Sequence, residues 1–446
     1  MTLSPSVTDH AMSTPNSMTD SSRSLSDVVS YLSDYDPDAL SVADAQRIIA
    51  DFITPLQVGE KIALRSALGR VLASDIVSTI NVPNHDNSAM DGYALRGGDL
   101  TDGPLTLQVI GTALAGRAFE GSIGSGQCIR IMTGAIMPPG CDTVIPQEFT
   151  IDASEQQVTI PAGAVRAGDN RRLAGEDLMA GTAALRKGRL LHPADLGLLA
   201  SLGIAEVAVQ RRLRVAFFST GDELRSVGET LDPGCVYDSN RYTLHGMLTR
   251  LGCDLLDMGV IRDDPASLEA AFRSACENAD AIITSGGVSV GAADYTKQMM
   301  TQLGDVSFWK IGMRPGRPMA FGRIHSQGHS AFLFGLPGNP VAVMVTFYFL
   351  ARQALLRMMG ADATALPLMR AKSVNAIRKK PGRTEYQRGI LQAGADGTMC
   401  VTLTGAQGSG ILRSMIEANC MVVLHDAQGM VQAGDLVDVV LFDGLT

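Results

Sequence analysis

The chain has 446 residues, of which 46% are hydrophobic and 19% charged. This length exceeds one ordinary hydrophobic core and predicts about three domains. Lys and Arg number 37 against 46 Asp and Glu, and the net charge of −9 argues against a nucleic-acid-binding surface.

Cysteine usage and hydropathy favour a cytoplasmic protein. The seven cysteines are scattered without a Cys-x-x-Cys pair, which argues against a zinc ribbon and a disulfide framework. No segment reaches the ~18 unbroken apolar residues of a membrane helix, and no signal peptide is visible. The longest apolar run, residues 341–350, is predicted to be a buried helix. We therefore expect reduced thiols and no membrane contact.

The N-terminal half is predicted to contain a tail and two domains. Residues 1–38 lack apolar periodicity and are predicted to be mostly disordered. Helical spacing follows Ser41, a potential N-cap, and shorter helical patterns occupy residues 64–72 and 190–202. The short apolar runs of residues 81–169, broken by Gly and Pro, predict a β domain. This piece is predicted to be inserted into a discontinuous first domain, residues 39–80 and 170–211.

The hydrophobic pattern of the C-terminal half changes twice along the chain. Strand-like runs at residues 213–218, 255–260 and 281–284 alternate with helical runs at residues 241–251, 265–275 and 295–303. Such alternation indicates right-handed βαβ crossovers, so residues 212–364 are predicted to form a doubly wound α/β domain. Short strands and Gly turns in residues 365–446 predict a small β-barrel.

Two Gly-rich sequences follow adjacent strands of the predicted sheet. They are Ser219-Thr220-Gly221-Asp222-Glu223 and Ser285-Gly286-Gly287. Ligands bind beyond the carboxyl ends of strands in open α/β sheets, and Gly-rich turns let backbone N–H groups approach an anion. The alternative is that the glycines only make tight turns. Two such turns with hydroxyls and carboxylates favour an anion site.

Four carboxylates lie just after predicted strands or at helix starts: Asp222, Glu223, Asp263 and Asp294. Carboxylates beside a phosphate repel it unless a cation such as Mg²⁺ bridges the two. Helix capping is the alternative, and Asp264 before Pro265 has the sequence of an N-cap.

The strongest local anion signal is the loop that carries Lys310, Arg314 and Arg317. Pro315 and Pro318 restrict this loop, and guanidiniums match oxyanions with two donors each. The turn containing Pro337 and Asn339 precedes the long apolar helix, whose N-terminus either faces an anion or only begins the helix. Polar loops at residues 87–94, 130–135 and 171–177 are, taken singly, more typical of surface turns.

Taken together, these blocks resemble the molybdopterin molybdenumtransferase family, the bacterial MoeA proteins and the gephyrin E domain. Seven blocks stand in one consistent order from about Ser41 to the C-terminus: Asp-Asn-Ser-Ala-Met-Asp-Gly-Tyr-Ala (86–94), Arg-Ile-Met-Thr-Gly-Ala (130–135), Arg-x-x-Gly-Glu-Asp (172–177), Ser-Thr-Gly-Asp-Glu-Leu (219–224), Asp-Ser-Asn (238–240), Ser-Gly-Gly-Val-Ser-Val-Gly (285–291) and Gly-Leu-Pro-Gly-Asn-Pro (335–340). The chain departs from the family at Arg314 and Arg317, where Lys is usual, and at Ala292 and Ala342.

The resemblance implies a multidomain fold and a reaction. The fold comprises an elongated helical domain, an inserted β domain, a central doubly wound molybdopterin-binding α/β domain and a C-terminal β-barrel. The reaction takes adenylylated molybdopterin and molybdate, cleaves the pyrophosphate link, releases AMP and leaves molybdenum on the dithiolene. The resemblance also implies a homodimer, with molybdopterin adenylyltransferase and molybdoenzyme apoproteins or chaperones as possible partners.

Residue roles also follow from this resemblance. Mg²⁺ would be held by Asp263 and Asp294. The residues implied in catalysis are Asp91, Thr133, Asp177, Asp222 and Glu223. Asp91 and Thr133 would reach across the dimer interface. The residues implied in substrate binding are Ser219, Thr220, Gly221, Ser285, Gly286, Gly287, Lys310, Arg314, Arg317, Pro337, Asn339, Arg383 and Ser409.

Two alternative functions remain from the sequence. One is molybdopterin adenylyltransferase, an activity of smaller relatives whose fold matches only residues 212–360. The other is a gephyrin-like binding or scaffold protein, although this chain lacks the additional domains of such scaffolds.

Overall fold

A computed structural model describes residues 24–30, 35–288, 295–362 and 366–442, and the chain divides into two compact units. The first unit comprises the described parts of Met1–Pro55, Arg212–Met359 and Ala363–Thr446. The second comprises Leu56–Arg211 with Gly360–Asp362. Each unit contains buried hydrophobic clusters of its own.

A six-stranded sheet forms the centre of the first unit. Its strands, in spatial order, are Asp254–Ile261, Arg214–Thr220, Ala281–Ser285, His329–Leu336, Pro318–Ser326 and Gly304–Lys310. The first four are parallel to one another, and Pro318–Ser326 is antiparallel to both of its neighbours, His329–Leu336 and Gly304–Lys310. The second, third and fourth strands are continuous apolar runs because helices cover both faces of a parallel sheet. Their carboxyl ends are neighbours, with Ser285 paired to Ser219 and to Leu336.

The helices of the first unit begin where the sequence places caps. Asp264 accepts a hydrogen bond from Ser267 N, and Pro265 occupies the first turn. Ser41 accepts one from Asp44 N in the same way. The helices are Leu25–Ser30, Val42–Phe52, Ser239–Arg250, Pro265–Asn278, Tyr295–Leu303, Pro340–Thr346, Phe347–Ala351 (a π-helical turn), Arg352–Met358 and Arg413–Glu417.

The stretch Pro340–Met358 is the one described helix that is long and apolar enough to cross a membrane by length and composition. Its most apolar window is 67% buried inside the protein. Core helices of soluble proteins pass the same test, so the prediction of a buried helix here agrees with its packing.

A closed barrel follows the α/β sheet. Its sheet contains the strands Met313–Arg314, Met369–Ser373, Thr384–Ala393, Met399–Leu403, Cys420–Leu424 and Leu436–Leu441. The strand Thr384–Ala393 pairs with both Met399–Leu403 and Cys420–Leu424, which closes five of the strands into a ring. This confirms the predicted C-terminal β-barrel. A two-stranded parallel pair, Leu224–Arg225 with Val236–Tyr237, completes the described strands of the unit.

The second unit is mainly β-structure. Its five-stranded sheet has the order Thr143–Pro146, Gly92–Leu95, Gln127–Ile131, Leu105–Ala113 and Gln157–Ile160. Shorter antiparallel pairs are Gly59–Ala63 with Glu206–Gln210, Ile76–Val77 with Ala183–Leu185, and Asn87–Ser88 with Arg171–Arg172. The helix Pro193–Ser201 and 3₁₀ turns at Leu64–Ser66, Gly97–Asp99 and Gln147–Phe149 complete the unit. Each shorter pair therefore joins a segment that precedes the five-stranded sheet in sequence to a segment that follows it, which is the pattern expected of an inserted domain.

Two local expectations differ from the structure. The helix predicted at residues 64–72 is wrong: only Leu64–Ser66 is helical, and Gly69 at φ +70° turns the chain back. The predicted start of the first domain at residue 39 stays a prediction; by its contacts, Val42–Phe52 lies in the first compact unit. Within the predicted disordered tail, Leu25–Ser30 is a helix, because Leu25 and Val28 are buried on one of its faces.

Candidate active site

Three turns meet at the carboxyl edge of the α/β sheet: residues 219–223 form the first, residues 285–287 the second and residues 337–339 the third. Gly286 N donates to Leu336 O (3.1 Å), which joins the second and third turns. A Cβ added to Gly286 would lie 2.6 Å from Thr220 O in the first turn, and one added to Gly338 would lie 3.8 Å from Gly286 Cα. Gly286 also has φ +93°, so a side chain is excluded by both conformation and space. The predicted substrate residues of all three turns are thus brought together.

An acidic cluster adjoins these turns. Asp263 N donates to Asp222 Oδ1 (3.4 Å), and Thr296 Oγ1 donates to Asp263 Oδ1 (3.3 Å). A Cβ on Gly287 would lie 2.5 Å from Thr296 Cβ, so the Gly-rich turn packs on the cluster. Partial burial raises the pKa of Asp263, and the charges of Asp222 and Glu223 raise it further. The carboxylates repel one another, and a bound cation would relieve this repulsion.

The predicted metal pair is only partly described. Asp294 lies outside the described residues, as does the departure at Ala292. Among the residues that are described, no group of three or more His, Cys, Asp or Glu side chains has the arrangement of a metal site. Asp263 and Asp294 as Mg²⁺ ligands therefore stay a prediction.

The cationic loop carries an acidic partner that was not expected. Lys310 Nζ lies 2.7 Å from Asp38 Oδ1, and Lys310 N donates to Pro37 O (2.7 Å). Lys310 lowers the pKa of Asp38 most strongly, and Arg317 and Lys297 lower it further. A carboxylate from the N-terminal segment therefore pairs with Lys310 and is also stabilised by the positive charge of Arg317.

We expect Asp38→Asn to strengthen the binding of a tetrahedral oxyanion several-fold, because the carboxylate competes with such an anion for Lys310. The side chain of Asp38 is 66% exposed, so the gain should shrink as salt screens these charges. Calorimetric titration with molybdate at two ionic strengths measures both effects. The control is Asp51→Asn, which removes the same charge from an exposed helical position. Equal affinities in both variants would contradict the prediction.

Sequence reasoning missed Arg388, a fully buried arginine in the barrel. Its Nε donates to Ser414 Oγ (2.9 Å), and one terminal nitrogen donates to Gly408 O (3.0 Å). Its other terminal nitrogen has no hydrogen-bond partner in the described part of the chain. Burial lowers the pKa of Arg388 to about 10, with a further contribution from the nearby charge of Arg314. The Arg388 and Arg314 guanidiniums therefore repel each other, and an oxyanion bound between like charges would relieve this repulsion. The sequence signal that could have revealed Arg388 is a charged residue among strand positions that face the barrel interior.

The barrel loop reaches the third turn of the α/β domain. Ser409 O accepts a hydrogen bond from Val341 N (3.0 Å) at the start of the helix that follows Pro337 and Asn339. Through Gly408, the same loop is bound by Arg388. Among the predicted substrate residues of the barrel, Ser409 therefore contacts the helix start that follows the third turn.

Arg383 has a different environment. Its Nε lies 3.2 Å from Glu385 Oε1, and it lines a cavity of about 510 Å³ together with Arg352 and His425. No described hydrogen bond links Arg383 to the three turns. Its substrate role stays a prediction.

The other predicted catalytic residues lie in the second unit. Asp91 Oδ1 accepts hydrogen bonds from Thr133 N and Thr133 Oγ1, each 2.7 Å. These bonds lower the pKa of Asp91, so it is a preformed carboxylate on an exposed loop. Asp177 is exposed, and its backbone N donates to Val82 O (3.0 Å). The structure pairs Asp91 with Thr133, and all three roles stay predictions.

Comparison with known proteins covers the chain from residue 40 to residue 442. Residues 40–203 match the MoeA N-terminal region (domains I and II), residues 216–357 a probable molybdopterin-binding domain, and residues 370–442 the MoeA C-terminal region (domain IV). The chain is 42% identical over 387 residues to a molybdopterin molybdenumtransferase of Haemophilus influenzae, covering 86% of this chain and 94% of that protein. A Nostoc protein of the same name is 34% identical, covering 88% and 92%. The molybdopterin biosynthesis moeA protein of Pyrococcus horikoshii has a similar structure, with a TM-score of 0.79, 27% identity and coverage of 91% and 100%.

Proposed function

Because the chain belongs to the molybdopterin molybdenumtransferase (MoeA) family, we propose that it transfers molybdenum from molybdate to adenylylated molybdopterin with release of AMP. It is a transferase of molybdenum-cofactor biosynthesis. The proposal also includes the release of AMP, a requirement for Mg²⁺, a homodimer and a cytoplasmic location.

One observation supports this assignment: Gly-rich turns, carboxylates and a barrel loop bound by a buried guanidinium adjoin within one compact unit. Gly286 contacts Thr220 in the first turn. Gly287 contacts Thr296, which donates a hydrogen bond to Asp263. Ser409 and the loop held by Arg388 contact the third turn. A substrate with a phosphate, a pyrophosphate and an incoming oxyanion needs all of these chemistries side by side.

The described residues fit distinct parts of the substrates. The Ser285–Gly287 turn would hold the pterin phosphate through the Ser285 hydroxyl and the Gly287 N–H, since the Gly286 N–H donates to Leu336 O. Lys310, Arg314 and Arg317, with Arg388, would hold molybdate by charge-assisted hydrogen bonds. These donors are held by the fold before the substrate arrives, so little reorganisation opposes the developing charge.

The acidic cluster fits a hard divalent cation. Asp263 would supply one oxygen ligand and Asp294 another, and the negative charges of Asp222 and Glu223 near Asp263 would add to the attraction for a cation. When bound, Mg²⁺ would neutralise charge on the pyrophosphate. Asp222 and Glu223 would also orient a water molecule for attack on the pterin-side phosphorus and accept its proton. AMP would then depart with the bridging oxygen.

The second unit would act through dimerisation. Asp91 and Thr133, with Asp177, would complete the site of a partner subunit in a homodimer. All seven cysteines are free thiols, which supports a reducing cytoplasmic compartment. Upstream adenylyltransferase and downstream molybdoenzymes or their chaperones would be transient partners.

The test is a nucleotide assay with purified protein, adenylylated molybdopterin, molybdate and Mg²⁺. We expect AMP to appear only when molybdate and Mg²⁺ are both present, and chelation to stop its release. Consumption of ATP with free molybdopterin would instead indicate an adenylyltransferase. No turnover in protein that still binds the pterin would indicate a binding role, the gephyrin-like alternative.

A further inference from the structure

The Asp-Ser-Asn segment at residues 238–240 has no role in the proposed chemistry, yet its side chains are buried beside the three turns. Asp238 is 1% exposed and Asn240 8% exposed. Asp238 caps the helix Ser239–Arg250 by accepting a hydrogen bond from Arg241 N (3.2 Å). A cap requires only one acceptor oxygen, so capping explains Asp238 in part and Asn240 not at all.

Asn240 joins the second turn to the third. Its Nδ2 donates to Gly338 O (2.7 Å) and to Ser285 Oγ (2.8 Å). A carbonyl oxygen only accepts, so the amide nitrogen must be the atom that faces it. The two turns follow neighbouring strands that the bond from Gly286 N to Leu336 O already joins, and this amide adds a side-chain link that reaches Gly338.

The contact with Ser285 also directs a proton. Ser285 Oγ accepts from Asn240, so the proton of its own hydroxyl remains available for donation. Ser285 is 2% exposed, and Asn240 is the hydrogen-bond partner of this hydroxyl among the described residues. Donation from Asn240 also polarises the hydroxyl and makes it a stronger donor.

Asp238 fastens the first turn in the same manner. Ser219 Oγ donates to Asp238 Oδ1 (2.9 Å), and Arg241 Nε lies 3.4 Å from the second carboxylate oxygen. The start of one helix therefore holds a side chain or carbonyl from each of the three turns.

We propose that Asn240 is a positioning residue that sets the spacing of the Ser285–Gly287 and Pro337–Asn339 turns and aims the Ser285 hydroxyl at the phosphate of the pterin substrate. This inference rests on the proposed function, which assigns the Ser285–Gly287 turn to that phosphate. Asn240 acts through Ser285 and Gly338, so its effect falls on substrate binding more than on the chemical step.

The test is steady-state AMP release by Asn240→Ala in the full chain. Loss of two buried hydrogen bonds should raise the KM for adenylylated molybdopterin about tenfold or more and change kcat less than about threefold. The matched control is Gln46→Ala, which removes an amide that donates to Phe349 O (2.9 Å) elsewhere in the same unit. It should lower the Tm without changing KM.

Asn240→Asp keeps the shape but removes both N–H donors. Its KM, relative to wild type at each pH, should fall as the pH is lowered, because a protonated carboxyl regains one donor. The KM ratio of Asn240→Ala should not depend on pH. This variant also serves if Asn240→Ala does not fold.

An unchanged KM in an active Asn240→Ala protein would overturn the inference, as would equal rises in KM from Asn240→Ala and Gln46→Ala. A pH-independent KM ratio for Asn240→Asp would overturn it too. Absence of AMP release by the wild-type protein would instead refute the proposed function itself.

Discussion

Asp263→Asn is expected to lower AMP release on the order of a hundredfold or more while raising the Tm of the ligand-free protein. The pKa of Asp263 is raised by burial and by the charges of Asp222 and Glu223, so its ionised form opposes folding. Asparagine keeps the shape and removes that charge. The negative charge that destabilises the metal-free protein would also attract Mg²⁺. Its removal should therefore raise the Tm and lower the activity.

The pH dependence follows from the direction of the shift. Below the ordinary aspartate value of 3.8, Asp263 is protonated both folded and unfolded, so variant and wild type differ little. As the pH rises from that value through the raised pKa of the folded state, the wild type loses stability relative to the variant. Above that window the difference stays constant.

Thermal unfolding of metal-free protein between pH 3 and pH 8 would measure this difference. The matched control is Asp264→Asn on the neighbouring residue. Its carboxylate accepts from Ser267 N (2.9 Å), which lowers its pKa, so its charge supports folding. That variant should show an equal or lower Tm and retain turnover. A Tm below wild type for Asp263→Asn at neutral pH would contradict the proposed repulsion.

Local patterns predicted the elements of the first unit well, because those elements depend on neighbours in sequence. The helix Tyr295–Leu303 has the predicted bounds, and Asp264 with Pro265 marked the start of another helix. The helix predicted at residues 64–72 failed because Gly69 reverses the chain and tertiary packing buries Ala67 and Leu72 without helical structure. Propensity is a weak prior where a turn competes.

The site was predictable only where its residues follow strands of the same sheet. The carboxyl ends of adjacent parallel strands must meet, so the contact of Gly286 with Thr220 O was implicit in the βαβ pattern. The pairing of Asp38 with Lys310 joins segments 272 residues apart (310 − 38), and no local pattern encodes it. Arg388 was missed for a related reason: its burial depends on closure of the barrel.

Replacing Arg388 by methionine should have the largest combined effect on stability and molybdate binding. The variant leaves Gly408 O and Ser414 Oγ without a charged donor, at a cost of about 2–4 kcal/mol in the free energy of unfolding. Part of this loss is offset, because the variant also removes a buried charge whose pKa is lowered. Urea unfolding at neutral pH measures the net change.

The same variant should weaken molybdate binding at least about tenfold, because a guanidinium beside Arg314 is lost and the loop that contacts the third turn is released. Arg388→Lys separates the two causes: it keeps a positive charge but donates to fewer acceptors, so its affinity should lie between wild type and Arg388→Met. The control is Arg413→Met, an exposed arginine that pairs with Glu417 (2.8 Å). Wild-type molybdate affinity in a folded Arg388→Met protein would show that the unpartnered nitrogen of Arg388 does not face the oxyanion, and the site would then depend on the exposed loop alone.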